Sequence, residues 1–241
     1  MQAFVLAAGY GTRLGSATAE TPKPMLDVEG RPLLEYVLRN LGRCGFRNVS
    51  LNLHFMPESI TDHFGDGAEL GMTLRYTHEA KLLGTAGGVR GMTRDARPTE
   101  TFLVHYGDVL TDHDFRPMLD FHRQSGALVT MLIHQRPNSN STVVFDDNGR
   151  VTRFLERPTE AERVGLTSCW ANSGIALMEP GVLDLIPTSD PTDFPRDVFP
   201  LILARRRLFA FPLSGYRCAI DSLDRLRQAQ AAAREGRVLL S

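Results

Sequence analysis

The sequence predicts an α/β protein, a mostly parallel sheet covered by helices on both faces. Three observations carry this. Short apolar runs alternate with amphipathic segments through most of the 241 residues. The first run, Phe4-Val5-Leu6-Ala7-Ala8, stops abruptly at a glycine-rich turn, Gly9-Tyr10-Gly11-Thr12-Arg13. A later run ends in Gly107-Asp108, placing a carboxylate just past a strand. In alternating βα chains, ligands collect outside the carboxyl ends of such strands.

Taken in order, Phe4–Ala8 reads as a buried strand. Pro32–Cys44 reads as a helix with proline at its start and Leu34, Val37, Leu38 and Leu41 on one face. Val49–Phe55 is a strand, Pro57–Phe64 a short helix and Met72–Glu79 a strand. Thr85–Met92 is a helix opening at a Gly-Thr-Ala-Gly-Gly turn. Thr101–Tyr106 is a strand, Phe115–Ser125 a helix capped by Asp114, and Ala127–His134 a strand. The rhythm then changes. Thr142–Phe145 and Arg150–Leu155 flank Asp146-Asp147-Asn148-Gly149, a hairpin signal. Trp170–Met178 is a strand, Pro180–Ile186 a short helix and Arg196–Ala204 a further helix. Leu208–Pro212 and Arg217–Ile220 read as short strands, and Ser222–Arg234 as a terminal helix.

Bulk composition narrows the function classes. A formal net charge of -1 gives no reason to expect nucleic-acid or anionic-membrane partners. The densest basic run, Arg205-Arg206-Arg207, reads as a solvated helix end. The three cysteines, Cys44, Cys169 and Cys218, are widely spaced, which suits reduced thiols and a cytoplasmic location. The N-terminal apolar stretch lacks a preceding basic region and runs into the glycine loop, so it reads as a core strand and not a signal peptide. No apolar run has the length of a membrane span.

The chemistry concentrates in residues 5–25. Glycines let the main chain turn sharply and approach a ligand, and free N–H groups in such a turn suit phosphate. Arg13 and Lys23 add two fixed positive charges. Pro22 and Pro24 stiffen the surface loop that carries Lys23, so less entropy is lost when its ammonium is held. A dinucleotide fingerprint would need glycine at Leu14, and a P-loop would need a Gly-Lys-Ser/Thr end; both are absent. The pattern describes a polyphosphate site.

The stretch GYGTRLGSATAETPKPML resembles the signature of the sugar-1-phosphate nucleotidyltransferases, or nucleotide-sugar pyrophosphorylases. NLHFMPESITDHFGDG, HEAKLLGTAGG, FLVHYGDVL, FLERP, NSGIALM and GYRCAIDSLDRL agree with it in order and spacing along nearly the whole chain. The resemblance implies a Rossmann-like nucleotide-diphospho-sugar transferase fold with a small sugar-binding subdomain. A single domain over 1–241 is expected, with about 1–135 as nucleotide-binding core and about 136–241 as sugar-binding part and terminal helix. The C-terminal β-helix carried by many relatives is not expected.

The same resemblance assigns roles. Arg13 would hold the departing pyrophosphate and Lys23 the α-phosphate or the incoming sugar phosphate. Leu6, Ala8, Gly9, Gly11, Thr12 and Arg13, with Gly84, Thr85, Ala86 and Gly87, would bind the nucleotide, the last four mainly through backbone groups. Asp108 would hold Mg²⁺, the expected cofactor; a turn-capping aspartate is the alternative. The second metal carboxylate would be Asp221, because CAIDSLDRL resembles the Met-Asp-Thr-Leu-Arg-Asp variant of cytidylyltransferases. Relatives with another register would place that aspartate at Ala219. The alternative for Asp221 is an N-cap of the terminal helix, which Ser222 could also supply. Glu156, Arg157, Asn172 and Gly174 would bind the sugar phosphate; a strand-end hydrogen bond is the alternative for Asn172. Arg157 stands where the family usually has lysine, and its planar fork is not equivalent to an ammonium. His54, His78, His105 and His134 read as packing or hydrogen-bonding residues.

The expected reaction is NTP plus sugar 1-phosphate giving NDP-sugar plus pyrophosphate. The fragments around Asn52, His63 and Leu83 resemble mannose- and heptose-1-phosphate guanylyltransferases, which favours GTP binding. The alternatives are cytidylyl, uridylyl or thymidylyl transfer to another sugar or a cyclitol phosphate, and a non-catalytic nucleotide-sensing subunit. A glycosyltransferase would be expected to show Asp-x-Asp after the central strand, where Asp108 is followed by Val109 and Leu110. The expected partners are the two substrates, with no nucleic acid and no membrane; homo-oligomerisation is left open.

Overall fold

The structure, a computed structural model, describes residues 1–241 apart from 95, 138, 166, 167 and 239–241. Its elements are β1 (Gln2–Leu6), β2 (Asp27–Val28), β3 (Arg31–Pro32), α1 (Leu33–Arg43), β4 (Asn48–Leu53), α2 (Pro57–Phe64) and β5 (Thr73–His78). They continue with α3 (Gly84–Met92), β6 (Phe102–Tyr106), β7 (Val109–Thr111), α4 (Phe115–Ser125), β8 (Val129–Gln135), β9 (Ser141–Phe145) and β10 (Val151–Glu156). The remainder are α5 (Glu160–Arg163), β11 (Trp170–Met178), α6 (Phe199–Ala204), β12 (Leu208–Pro212), β13 (Arg217–Ala219) and α7 (Leu223–Arg234).

Seven strands form the main sheet in the order β12-β8-β11-β6-β1-β4-β5. All neighbouring pairs are parallel except those made by β11, which runs antiparallel to both β6 and β8. This places the start of β11 at the same edge as the ends of β1, β4, β6 and β8. The mostly parallel expectation therefore holds, and the one reversed strand has a use: it delivers Asn172 and Gly174 to the ligand edge.

β1 is buried on both faces, as a central parallel strand must be. Ala3 and Val5 face a core shared with Leu34, Val37, Leu38 and Leu41 of α1 and Phe115 and Met118 of α4. Phe4 faces the opposite core, with Ala86 and Val89 of α3 and Phe199 and Ile202 of α6. Helices thus cover both faces. A third, smaller core lies under α7, where Ala229 and Ala232 meet Leu14, Leu26, Val28 and Leu33. α7 thereby pins the N-terminal loop, and Gln230 Nε2 donates to the Asp27 carbonyl at 3.0 Å.

Some boundaries differ from the sequence reading. The loop after β1 coils into short 3-10 turns, Thr12–Thr18 and Lys23–Met25. The expected helix Arg196–Ala204 is a wider turn, Phe194–Val198, leading into α6. Pro195 and Pro200 leave backbone carbonyls without their usual donors there, which favours a widened turn. Arg205, Arg206 and Arg207 are exposed at the end of α6, as expected.

Candidate active site

The register of the sheet sets where the site must be. Leu6 lies level with Asn52 and Tyr106, so β1, β4 and β6 end together. Beyond that edge lie two clefts, of about 400 and 380 Å³. The first is walled by the β1 loop, with Leu6, Ala8, Gly9, Gly11, Thr12 and Arg13, and across from it by Gly84 and Thr85. The second is walled by Glu156, Arg157, Asn172 and Gly174. Arg13, Thr85, Tyr106, Asp108, Asp193 and Asp221 line both, so the clefts join at these six residues.

At that junction Lys23 Nζ meets Asp108 Oδ2 at 2.5 Å. Lys23 is only 8% exposed. The sequence reading placed it on a surface loop, and that was wrong: the 3-10 turn at Lys23–Met25 folds the stem inward against Gly11. A Cβ on Gly11, whose φ is +69°, would lie 3.2 Å from Lys23 Cβ and 3.1 Å from Thr18 Cγ2. Thr18 Oγ1 donates to the Gly11 carbonyl at 3.1 Å, tying the loop together. Arg13 is exposed at the mouth.

Asp108 and Asp221 come from segments more than a hundred residues apart in the chain, and β7 and β13 bring them together. These strands pair antiparallel with Ala219 level with Val109. One step further, the Ile220 N–H donates to the Asp108 carbonyl at 2.8 Å. Asp221 then lines both clefts, while Ala219 lines only the second. The α7 N-cap is Ser222, whose hydroxyl accepts from the Arg225 N–H at 3.3 Å. Asp221 is therefore not needed for capping.

Under the first cleft runs a buried polar bridge that the sequence reading missed. The Ala7 N–H donates to Asn52 Oδ1 at 2.8 Å, and Asn52 Nδ2 donates to Glu79 Oε1 at 2.8 Å. The Leu83 N–H donates to Glu79 Oε2 at 3.0 Å. Asn52 and Glu79 are each 3% exposed and both line the cleft. A Cβ on Gly88 would come within 2.6 Å of Asn52 Nδ2, so the glycine makes room for the bridge. The available signal was an asparagine inside an apolar strand, since buried polar side chains need partners.

Ala86 and Gly87 do not meet the expectation that their backbone faces a ligand. Both are buried, and their N–H groups donate to the Thr192 carbonyl at 2.9 and 3.1 Å. Thr85 N–H donates to Asp193 Oδ1 at 3.0 Å, so Asp193 occupies the start of α3. Gly84, at φ +78°, packs so closely that a Cβ would lie 2.5 Å from the Thr192 carbonyl oxygen. The 192–193 segment thus seals the helix start, leaving Gly84 and Thr85 at the cleft.

In the second cleft, Gly174 lies flat on Tyr106; a Cβ there would be 2.9 Å from the ring. Burial keeps the Tyr106 phenol protonated by pushing its pKa far up. The Gly174 N–H donates to Asn172 Oδ1 at 3.1 Å, so the Asn172 amide serves the bulged strand as well as lining the cleft. Burial raises the Glu156 carboxyl above its ordinary value, opposed by the Arg157 charge, while Asp193 raises it further. The cleft also holds His134, Arg136, Arg196 and Arg217, none of which the sequence reading assigned to it. His105 is buried with Nδ1 2.9 Å from the Tyr106 carbonyl, a packing role as expected.

A family model described as nucleotidyl transferase matches residues 2–233. The chain belongs to the nucleotidyl transferase family. Among curated relatives, this family member is 34% identical over 218 residues to a UTP–glucose-1-phosphate uridylyltransferase of Synechocystis sp., covering 84% of this chain and 55% of that protein. It is 35% identical over 206 residues to a mannose-1-phosphate guanylyltransferase of Mycobacterium tuberculosis, covering 85% and 56%. The chain spans about 55–60% of the length of the curated relatives it matches. A crystal structure of UDP-glucose pyrophosphorylase with UDP-glucose superposes with a TM-score of 0.82 at 18% identity, covering 97% of this chain and 98% of that one. That likeness establishes the nucleotide-diphospho-sugar transferase fold. Among the described residues, no helix is long and apolar enough to cross a membrane.

Proposed function

We propose that this nucleotidyl transferase transfers a nucleotidyl group from an NTP to a sugar 1-phosphate, releasing pyrophosphate. The observation that carries the reading is the junction. Two clefts, one floored by a glycine loop and one walled by sugar-compatible polar side chains, share Arg13, Asp108 and Asp221. A non-bridging oxygen of the sugar 1-phosphate attacks the α-phosphorus in line. The bond from that phosphorus to the β-bridging oxygen breaks, and pyrophosphate leaves with the electron pair. The attacking oxygen is already ionised at neutral pH, so no nucleophilic side chain is required.

The chain's own residues supply position and charge. Lys23, buried and steered by Asp108, presents its ammonium to the α-phosphate without reorganising during reaction. Arg13, exposed at the mouth, meets the departing pyrophosphate. Asp108 and Asp221 suit Mg²⁺, which takes one or two carboxylates and completes its shell with phosphate oxygens and water. When bound there, Mg²⁺ would neutralise phosphate charge as a Lewis acid.

For the base we propose guanine. Glu79 presents acceptors only, and each of its carboxylate oxygens keeps a lone pair beyond its bond to Asn52 or Leu83. Guanine offers adjacent N1–H and N2–H donors to such a group, whereas uracil offers a single N3–H between two carbonyl oxygens. The mannose-1-phosphate guanylyltransferase likeness supports this choice; the uridylyltransferase likeness supports UTP as the second reading. The test is a pyrophosphate-release assay over five NTPs crossed with a panel of sugar 1-phosphates. Release that needs both substrates, highest with GTP, is expected. Release without a sugar phosphate, or none with any pair, would overturn the proposal.

A further inference from the structure

The second cleft holds more fixed positive charge than one reacting phosphate uses. Five arginines line it: Arg13, Arg136, Arg157, Arg196 and Arg217. Arg157 lies 4.0 Å from Glu156, and Arg196 reaches Asp193 at 3.0 Å and Asp197 at 3.5 Å. Arg13 belongs to the junction. Arg136 and Arg217 remain, and among the described residues neither has a carboxylate within ion-pair distance.

Arg217 is the more informative. Its Nη2 donates to the Ser173 carbonyl at 3.0 Å and its Nη1 lies 3.2 Å from His134 Nε2. Its Nε is fully buried and has no hydrogen-bond partner among the described residues. Arginine only donates, so His134 accepts at Nε2 and carries its proton on Nδ1, 3.0 Å from Ser173 Oγ. Burial, then the charges of Arg217 and Arg136, hold the His134 pKa down to about 3, so this imidazole stays neutral and keeps Nε2 free to accept from Arg217. Asp108 acts on Arg217 electrostatically, but its carboxylate is held by Lys23 at 2.5 Å. A partly buried cation without a counter-charge is costly unless something bound supplies one.

Position says what that something is. The reacting phosphates must sit where the clefts join. Arg136 and Arg217 line the second cleft and not the first. Arg13 at the junction and Arg157 beside Glu156 already serve the reacting phosphates, so Arg136 and Arg217 are left for another part of the sugar. We infer that the sugar 1-phosphate carries a second anionic group, a carboxylate or a further phosphate, bound by Arg217 and Arg136, with His134 positioning Arg217. This deepens the nucleotidyltransferase reading and rests on it.

The test measures pyrophosphate release with the best NTP and four acceptors: glucose 1-phosphate, mannose 1-phosphate, glucuronic acid 1-phosphate and glucose 1,6-bisphosphate. One acidic acceptor should exceed the neutral pair in kcat/KM by on the order of 100-fold. Which acidic acceptor leads separates carboxylate from phosphate. Arg217→Gln should bring the ratio near parity, and Arg217→Lys should restore part of it. Arg136→Gln gives an independent check if Arg217→Gln does not fold. Equal or better use of neutral acceptors, or an acid preference that survives both glutamine variants, would overturn the inference while leaving the reaction class standing. If no acceptor turns over, the reaction class fails, and calorimetry with the same compounds still decides the subsite. Tighter binding of an acidic compound by wild type but not by Arg217→Gln supports it, and equal binding refutes it.

Discussion

The two clefts are built differently. The first is walled mainly by main chain, a glycine loop and strand ends in register, over a buried side-chain bridge through Asn52 and Glu79. The second is made of side chains from β8, β10, β11, β13 and the turn before α6, and its cations outnumber their local partners. A nucleotide offers every member of a family the same triphosphate, so backbone geometry can serve it. In the proposed reaction the acceptor sugar is the part that varies, and the cleft proposed for it is assembled from replaceable side chains. Chemistry should therefore be constant in the first cleft, and specificity should lie in the second.

The largest effect should come from the junction that both clefts use. Lys23→Ala is expected to cut turnover by about 10²–10³-fold, the usual cost of removing one preorganised donor. Because Lys23 is buried against Asp108, melting temperature should fall as well. A variant that melts lower but turns over normally when folded would remove Lys23 from the chemistry.

Next in size is a test confined to the first cleft. Glu79→Gln should reduce the preference for GTP over UTP by about tenfold, since a hydrogen bond to a charged group is at stake. An unchanged preference would move base selection away from the bridge. A test confined to the second cleft follows. His134 should stay neutral down to pH 5 by NMR titration, because burial and Arg217 depress its pKa to about 3. Arg217→Gln should raise it toward the ordinary 6.5. Below pH 6.5 the unfolded chain takes up a proton that folded His134 refuses, so acid destabilises the fold. That contribution is fully present above pH 6.5 and is lost as pH falls toward 3. Buried His105, depressed to about 4, acts in the same direction. A denaturation midpoint that rises on acidification from pH 6.5 to 4.5 would contradict this.

The smallest effect separates two neighbours at the seam. Ser222→Ala should cost about 1 kcal/mol of stability as an N-cap, while Asp221→Ala should instead reduce turnover. Reversed outcomes would return Asp221 to a capping role.

The contrast also explains what could be read from the sequence. The apolar run into Gly9-Tyr10-Gly11 announces a central strand and its loop, because both follow from local backbone rules. The α1 face of Leu34, Val37, Leu38 and Leu41 is equally local, and all four are buried. Lys23 misled because its burial depends on a 3-10 turn and a distant carboxylate. Ala86 and Gly87 misled because the 192–193 segment, a hundred residues later, takes their N–H groups. Asp193, Arg217 and Arg136 carried no local signal at all. Their roles depend on which strands end side by side, and pairing of β13 with β7 or reversal of β11 leaves no mark at those residues.

The most direct measurement of the central claim is a crystal structure of the chain with the nucleotide sugar it turns over. In that complex the base should lie against Glu79, the diphosphate between Lys23 on one side and Asp108 and Asp221 on the other, and the sugar against Asn172. A diphosphate bound away from Asp108, or a base seated beside Glu156, would contradict it.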